Sequence, residues 1–377
     1  MTDTESRLRD YLHTQAATVP GNAQGPGLEP PERRRHWPVL AAAAAIVVVV
    51  VLAASLLTRS SGDQPDPARR PAPPVSGAAP QIPYTVYDEN ALHDGKQKVR
   101  IPKGIDGFFS GRAGGGWLGT LMPKLGQFQP VILLPTGTFR ALGPDRSGSQ
   151  VLSPDHKQVA MYHYLSNTRG QVIVVDIQSG KQVAQLPAAP GQPTLLGWNQ
   201  DGLWLDREKA GMIVWQPASG QQRPVSIAGF DGSAAIPPAA GTIVVSAKVN
   251  GKRCLKAGAL RDDGFKVLRE YCDEGPEHLY PVLSPDGRTM IHSVRKEAID
   301  ISTGQVTKLN LKDRMTDTLP LPVFENGTQL LTLTETIGSG QGETTGPIHN
   351  QLFRCDVTSG ECKLLVKKAD GWTIHES

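Results

Sequence analysis

The chain has 377 residues, with 39 basic against 36 acidic side chains and a formal net charge of +3. So small an excess leaves no basic footprint for nucleic acid, and no nucleic-acid partner is expected. Four cysteines with no CxxC pair give no support to zinc or thioredoxin-like chemistry, and no cofactor or metal is predicted.

Residues 1–37 read as a cytoplasmic tail. Thr2 and Glu5 have capping-box spacing, and Leu8, Leu12, Gln15, Ala16 and Val19 follow at helical intervals before Pro20. A helix this short is marginal in water. Residues 2–19 therefore either order on a cytoplasmic protein partner or serve only as a leader that sets topology. A Gly- and Pro-rich stretch then runs to Pro31.

The next segment, 38–58, holds nineteen uncharged residues from Val39 to Leu57 without Gly or Pro. As a helix this run reaches about 28 Å, close to the hydrocarbon thickness of a bilayer. It is predicted to span the membrane once. Arg33, Arg34 and Arg35 precede it and only Arg59 follows closely, which places the N-terminus in the cytoplasm. The competing reading is a cleaved signal peptide, with small residues for cleavage at Ala53–Ala54 or Ala78–Ala79. Leu52-Ala53-Ala54-Ser55 has Ser where a lipidated Cys would stand, which argues against a lipoprotein. Residues 59–82 are dense in Pro, Ala and Ser and read as a disordered, semi-rigid linker.

The remaining 83–377 are rich in Val, Thr, Gly and Pro and poor in long amphipathic patterns, which predicts an all-β body. All four cysteines lie in it. Cys355 and Cys362 flank a turn, Asp356 to Glu361, so that the two face each other across a hairpin. Cys254 and Cys272 are mirror images about Asp263, and a three-residue loop there sets them opposite as well. Cross-strand Cα distances of about 4.5–5.5 Å lie within disulfide reach. Two pairs in register predict the disulfides Cys254–Cys272 and Cys355–Cys362 and an oxidising, extracytoplasmic compartment.

The body also repeats. A strand, a Thr/Ser-Gly turn and another strand recur at Gly137, Gly180, Gly220, Gly304 and Gly360, and Asp262-Asp263-Gly264 fills the one gap. The six glycines are 43, 40, 44, 40 and 56 residues apart, the last interval carrying a polar insertion from Ile337 to His349. A second turn alternates with the first: Ser153-Pro154-Asp155-His156 and Ser284-Pro285-Asp286-Gly287, with looser copies at Asn199-Gln200-Asp201-Gly202 and Glu325-Asn326-Gly327. Each precedes an apolar strand. Four antiparallel strands per 40 to 45 residues predict propeller blades. Six are countable. Residues 83–102 form a further hairpin that can pair with a strand near Trp372, closing the ring or starting a seventh blade.

The Ser-Pro-Asp-Gly-like turn followed by Asp-x-x-[Ser/Thr]-Gly resembles the TolB-like and WD-repeat-like β-propellers. Tail, span, linker and propeller together resemble membrane-anchored propeller proteins of actinobacteria. The resemblance implies a six- to seven-bladed β-propeller over roughly 103–370. Pro237-Pro238 and Glu325-Asn326-Gly327 depart from the turn motif. Blade faces must stack on one another, so Trp198, Trp204, Trp215, Val174, Ile291 and Leu330 are expected between blades rather than at a stacking site.

Catalytic patterns were sought in the same sequence. It contains no GxSxG elbow; Gly338-Ser339-Gly340-Gln341-Gly342 has the glycines but reads as a loop. Nine histidines form no HExxH, and no P-loop or EF-hand loop occurs. Asp155, Asp201 and Asp286 sit where Asp forms turns. The leading expectation is a non-catalytic envelope protein whose propeller binds a protein or envelope ligand. The alternatives are a transmembrane signalling protein, similar to anti-sigma factors, with the tail as effector, and an envelope enzyme with an unrecognised site in the propeller funnel. The anti-sigma likeness lacks the H-x3-C-x2-C zinc motif.

Overall fold

The computed structural model describes residues 78–374, apart from 87–88, 103–106, 125–126, 167–168, 187–192, 208–210, 274–278, 313, 316–321, 337–348, 368 and 370–371. The chain divides into two units, 1–66 and 67–377, and every described residue belongs to the second. The predicted tail, the span Val39–Leu57, most of the linker and the Gly338–Gly342 loop lie outside the described residues. Among those described, no helix is long and apolar enough to cross a membrane.

The body is seven antiparallel sheets, the blades of a propeller. Blades 2 to 6 run in sequence through residues 107–141, 147–186, 194–225, 230–273 and 282–308, four strands each. Blade 7 covers 314–366, and its first strand is broken into Arg314–Met315 and Val323–Phe324, both paired to Gln329–Thr336. Blade 1 is composite. Tyr84–Val86, Ala91–Asp94 and Gln97–Arg100 supply its outer three strands, and Trp372–Ile374 from the far end of the chain supplies the first. The hairpin expected at 83–102 thus makes a seventh blade and closes the ring in one step. First strands of neighbouring blades, such as Ser147–Leu152, Thr194–Asn199 and Phe230–Ala235, pack beside one another and surround the axis.

Burial follows this plan. Seven separate apolar clusters exist, one for each pair of adjacent blades. Strands alternate, so one face of each sheet feeds one cluster and the other face the next. Trp215 and Val174 lie together between blades 3 and 4, and Trp204 fills the next interface. Ile291 and Leu330 meet between blades 6 and 7. The closing interface joins Ile82, Tyr84 and Val86 to Leu331, Leu352 and Val366. All are buried, as the stacking argument requires.

The two repeating turns lie at the same end of the ring and are tied together. The Ile177 N–H donates to Lys157 O (2.8 Å), Ile301 to Arg288 O (2.8 Å) and Val357 to Thr328 O (2.9 Å). In each case the turn after the third strand is bonded to the turn after the first. Asp300 Oδ1 accepts from Ser302 Oγ (2.6 Å) and from the N–H of Thr303 (2.7 Å). These donors hold its carboxyl at a pKa of about 2, the Ser302 hydroxyl contributing most. Asp176 and Asp356 repeat the arrangement and are lowered likewise.

The start of the body is fastened at this same end. Arg354 donates to both carboxylate oxygens of Glu325 (2.5 and 3.0 Å) and to Ala78 O and Ala79 O (3.0 Å each). Glu325 also accepts the Gln81 N–H (2.6 Å), and its side chain is 1% exposed. On the other side Arg112 of blade 2 reaches Gln81 O (2.9 Å) and pairs with Asp94. Residues 78–82 therefore bridge blades 7 and 2 across the end of blade 1, where no covalent turn joins its first two strands.

Candidate functional site: the central channel

The first strand of every blade is a free sheet edge facing the axis. The ends of these strands, just before the Ser-Pro-Asp turns, enclose a cavity of about 310 Å³. Six blades contribute: Ser110 from blade 2, Gln150–Leu152 and His156 from blade 3, Leu196–Trp198 from blade 4, Ala234–Pro238, then Pro281–Leu283 with Pro285, then Pro322–Phe324.

The turns fix where these walls stand. Ser153 Oγ donates to Asp155 Oδ1 (2.7 Å) and accepts the Gln158 N–H (2.9 Å); Ser284 Oγ does the same with Asp286 (2.6 Å) and Thr289 (2.9 Å). The Asp155 carboxyl is held below the usual range, mostly by the Ser153 hydroxyl. The Asp201 backbone N–H donates to Asn199 Oδ1 (3.0 Å), and that oxygen also accepts the Trp204 indole N–H (2.9 Å). These aspartates and the asparagine build turns, as the sequence led one to expect, and none lines the cavity. The fourth position of the turn needs positive φ. Gly287 supplies it at +72° and His156 adopts it at +55°. His156 is thereby carried to the rim, with Nδ1 3.2 Å from Arg112 O. A carbonyl can only accept, so Nδ1 carries the proton and Nε2 of the neutral ring is an acceptor.

The wall is nearly without charge. Its described lining contains no carboxylate, ammonium or guanidinium, and Ser110, Gln150 and His156 are its polar side chains. Gln150 is turned outward, donating to Gly119 O (3.1 Å) and Thr120 Oγ1 (2.6 Å) of blade 2. Trp198 belongs to the core between blades 3 and 4 and also borders the channel. The first role is the one expected of it; its place at the channel was not foreseen.

Other polar clusters lie elsewhere. Cys254 is bonded to Cys272 and Cys355 to Cys362, each between the third and fourth strands of its blade and directly opposite in register. The loop at Asp262-Asp263 is two residues long, closed by Arg261 opposite Gly264, not three. A bulge between Ala257 and Gly258, with Leu268 as the extra residue, restores the offset and brings the cysteines face to face. Glu270 stands beside Cys254 and Cys272, but both sulfurs are consumed in the bond. Between blades 5 and 6, fully buried His292 points Nε2 at Asp273 Oδ2 (3.6 Å) while Nδ1 accepts the Arg295 N–H (3.3 Å). A wider groove of about 700 Å³ opens by Met212, Ile227, Phe230 and Asp231, the last held by Ser246 and Arg253.

No family model matches the chain, and no curated protein matches it. Solved propellers do. TolB from Acinetobacter baumannii is 16% identical over 69% of this chain and 63% of its own, with a TM-score of 0.40. The WD40 repeats of RRP9 are 11% identical over 78% and 84%, with a TM-score of 0.44. An oligogalacturonate lyase solved with manganese is 15% identical over 65% and 78%, with a TM-score of 0.43. The assignment of a seven-bladed propeller rests on the seven sheets and their closure.

Proposed function

We propose that this is a non-catalytic, single-span membrane protein whose propeller stands outside the cytoplasm and binds or scaffolds a protein or envelope ligand at the channel end of the ring. The observation that carries the reading is the channel wall: formed by six blades, and without a charged side chain or an acid–base pair among its described residues. A rigid ring with an uncharged wall favours binding over proton transfer. The two disulfides support an oxidising compartment. The run Val39–Leu57 supports the anchor, and the arginines before it support a cytoplasmic N-terminus.

A second reading, transmembrane signalling, is favoured by the helical spacing of residues 2–19. Crosslinked capture of the full chain from its native membrane, beside a chain lacking 2–19, separates the two. Envelope partners that persist after the deletion support the tethered binding protein. A cytoplasmic partner lost with the tail replaces it with the signalling protein. Catalytic turnover of any captured ligand by the purified chain would overturn both.

A further inference from the structure

The wall of the channel is uneven. Blades 5, 6 and 7 place Pro237, Pro238, Pro281, Pro285 and Pro322 along one arc of it. A free sheet edge ordinarily turns both N–H and C=O groups outward, and proline has no N–H to offer. Beside the strand residues Ala234, Ala235, Val282, Leu283, Val323 and Phe324, this arc therefore presents five pyrrolidine rings, whose faces are C–H groups. The Trp198 indole of the adjoining blade 4 and the His156 ring of blade 3, whose Nε2 accepts, line the same cavity. The described lining of the site carries no fixed charge, and His156 Nε2 is a side-chain acceptor within it.

From this we infer that the channel is a binding site for a small, uncharged aromatic molecule carrying a hydroxyl or N–H donor. Each part follows from the lining. Proline C–H groups beside the amide nitrogen are electron-poor and settle on the negative face of an aromatic ring. An ion would enter without a counter-charge and lose its hydration, which costs several kcal/mol. A hydroxyl or N–H donor finds His156 Nε2 or a strand carbonyl. A cavity of about 150 Å³ holds benzene, so the 310 Å³ here has room for a bicyclic ring. The inference rests on the channel being the binding site proposed above. It does not depend on the anchor, the partner or the tail.

The test is photolabelling of the full chain in lipid nanodiscs with 4-azidobenzyl alcohol, using 4-azidobenzenesulfonate as the charged control and 2-naphthol as competitor. The expected result is saturable labelling of peptides containing 196–198, 234–238 or 281–285. Excess 2-naphthol should reduce it at least tenfold, and the sulfonate should label these peptides at least tenfold less. Ser110→Trp and Pro238→Trp fill the cavity from opposite walls, and either one that keeps the parent melting temperature should lose the label. Equal labelling by the sulfonate, labelling confined to other peptides, or labelling that 2-naphthol does not compete would each overturn the inference, and none of these needs a variant to fold. Partner capture run in parallel tells the two failures apart. A partner retained with no channel label refutes the ligand class alone, and a channel label with no partner refutes the scaffold alone.

Discussion

Arg354 and Glu325 hold the entrance of the chain to the ring, and replacing Arg354 by Met should loosen it. Methionine keeps much of the stem and removes the guanidinium. Four donor contacts go with it: two to Glu325, one to Ala78 O and one to Ala79 O. More important is what remains. The Glu325 side chain is 1% exposed and keeps the Gln81 N–H as its donor. Removing one member of a buried pair strands the other charge, at about 3–5 kcal/mol. Arg354 is itself 17% exposed, so water reaches the pair and the lower end, about 3 kcal/mol, applies. Glu325→Gln keeps Oε1 for Gln81 and strands no carboxylate, so it should cost only about 1–2 kcal/mol. In the double variant no charge is buried alone, and the total should fall short of the sum by at least about 1 kcal/mol. Urea unfolding of the four proteins measures the cycle, and hydrogen exchange over 78–86 should accelerate in Arg354→Met. A single-variant cost under about 1 kcal/mol, or strict additivity, would refute the view that this pair latches the ring.

The two disulfides close loops of different size, with sequence separations of 18 and 7. By loop entropy their removal as Cys→Ala pairs should cost about 3.2 kcal/mol for Cys254–Cys272 and about 2.4 kcal/mol for Cys355–Cys362, an order that urea midpoints would check. Burial pushes the His292 pKa below its ordinary 6.5, so the unfolded chain binds this proton more readily than the folded one. Stability should hold above pH 6.5 and fall as pH drops through 6.5 toward the lower folded value; the steepening should vanish in His292→Asn, and a parent curve flat from pH 7 to 5 would contradict it. Gly180 and Gly360 occupy equivalent turns with φ of +68° and +79°. Alanine at Gly180 meets nothing within 4 Å and should cost the backbone term alone, about 1–2 kcal/mol, whereas at Gly360 its Cβ would stand 2.1 Å from Lys308 O and the loss should be clearly larger. Thermal melts of both variants decide this, and equal losses would mean that Lys308 gives way.

How much of this could be read from the sequence depended on whether the signal was local. The turns were legible because a Ser or Asp side chain, a proline and a positive-φ glycine act within five residues. The Asp300 and Ser284 geometries are the motif itself. The disulfides were legible because hairpin register follows from the turn, and the pairing survived a wrong loop length because the bulge at Leu268 compensated for it. The blade count was harder. Trp372–Ile374 and Tyr84–Val86 stand nearly 290 residues apart, and only three residues of each pair, too few for periodicity to declare a strand. The latch was not legible, since nothing in the sequence links Arg354 to Ala78.

A ligand at the funnel or its loops was expected, but the residues that line the channel were not legible. Inner-strand residues alternate like those of any strand, so periodicity cannot say which edge faces the axis. Where blade 5 abandons the Ser-Pro-Asp-Gly turn for Ile236-Pro237-Pro238, the change looks like simple divergence of a repeat. The structure puts Pro237 and Pro238 in the channel wall, next to Pro281 and Pro285 of blade 6. Proline is tolerated at such a place because an unpaired edge N–H has no ladder bond to lose, so its presence there is easily taken for drift of the repeat. Copies that keep the motif border the channel as well, through His156 and Pro285, so the site is marked by where the turns stand at one end of the ring, which only the closed fold reveals.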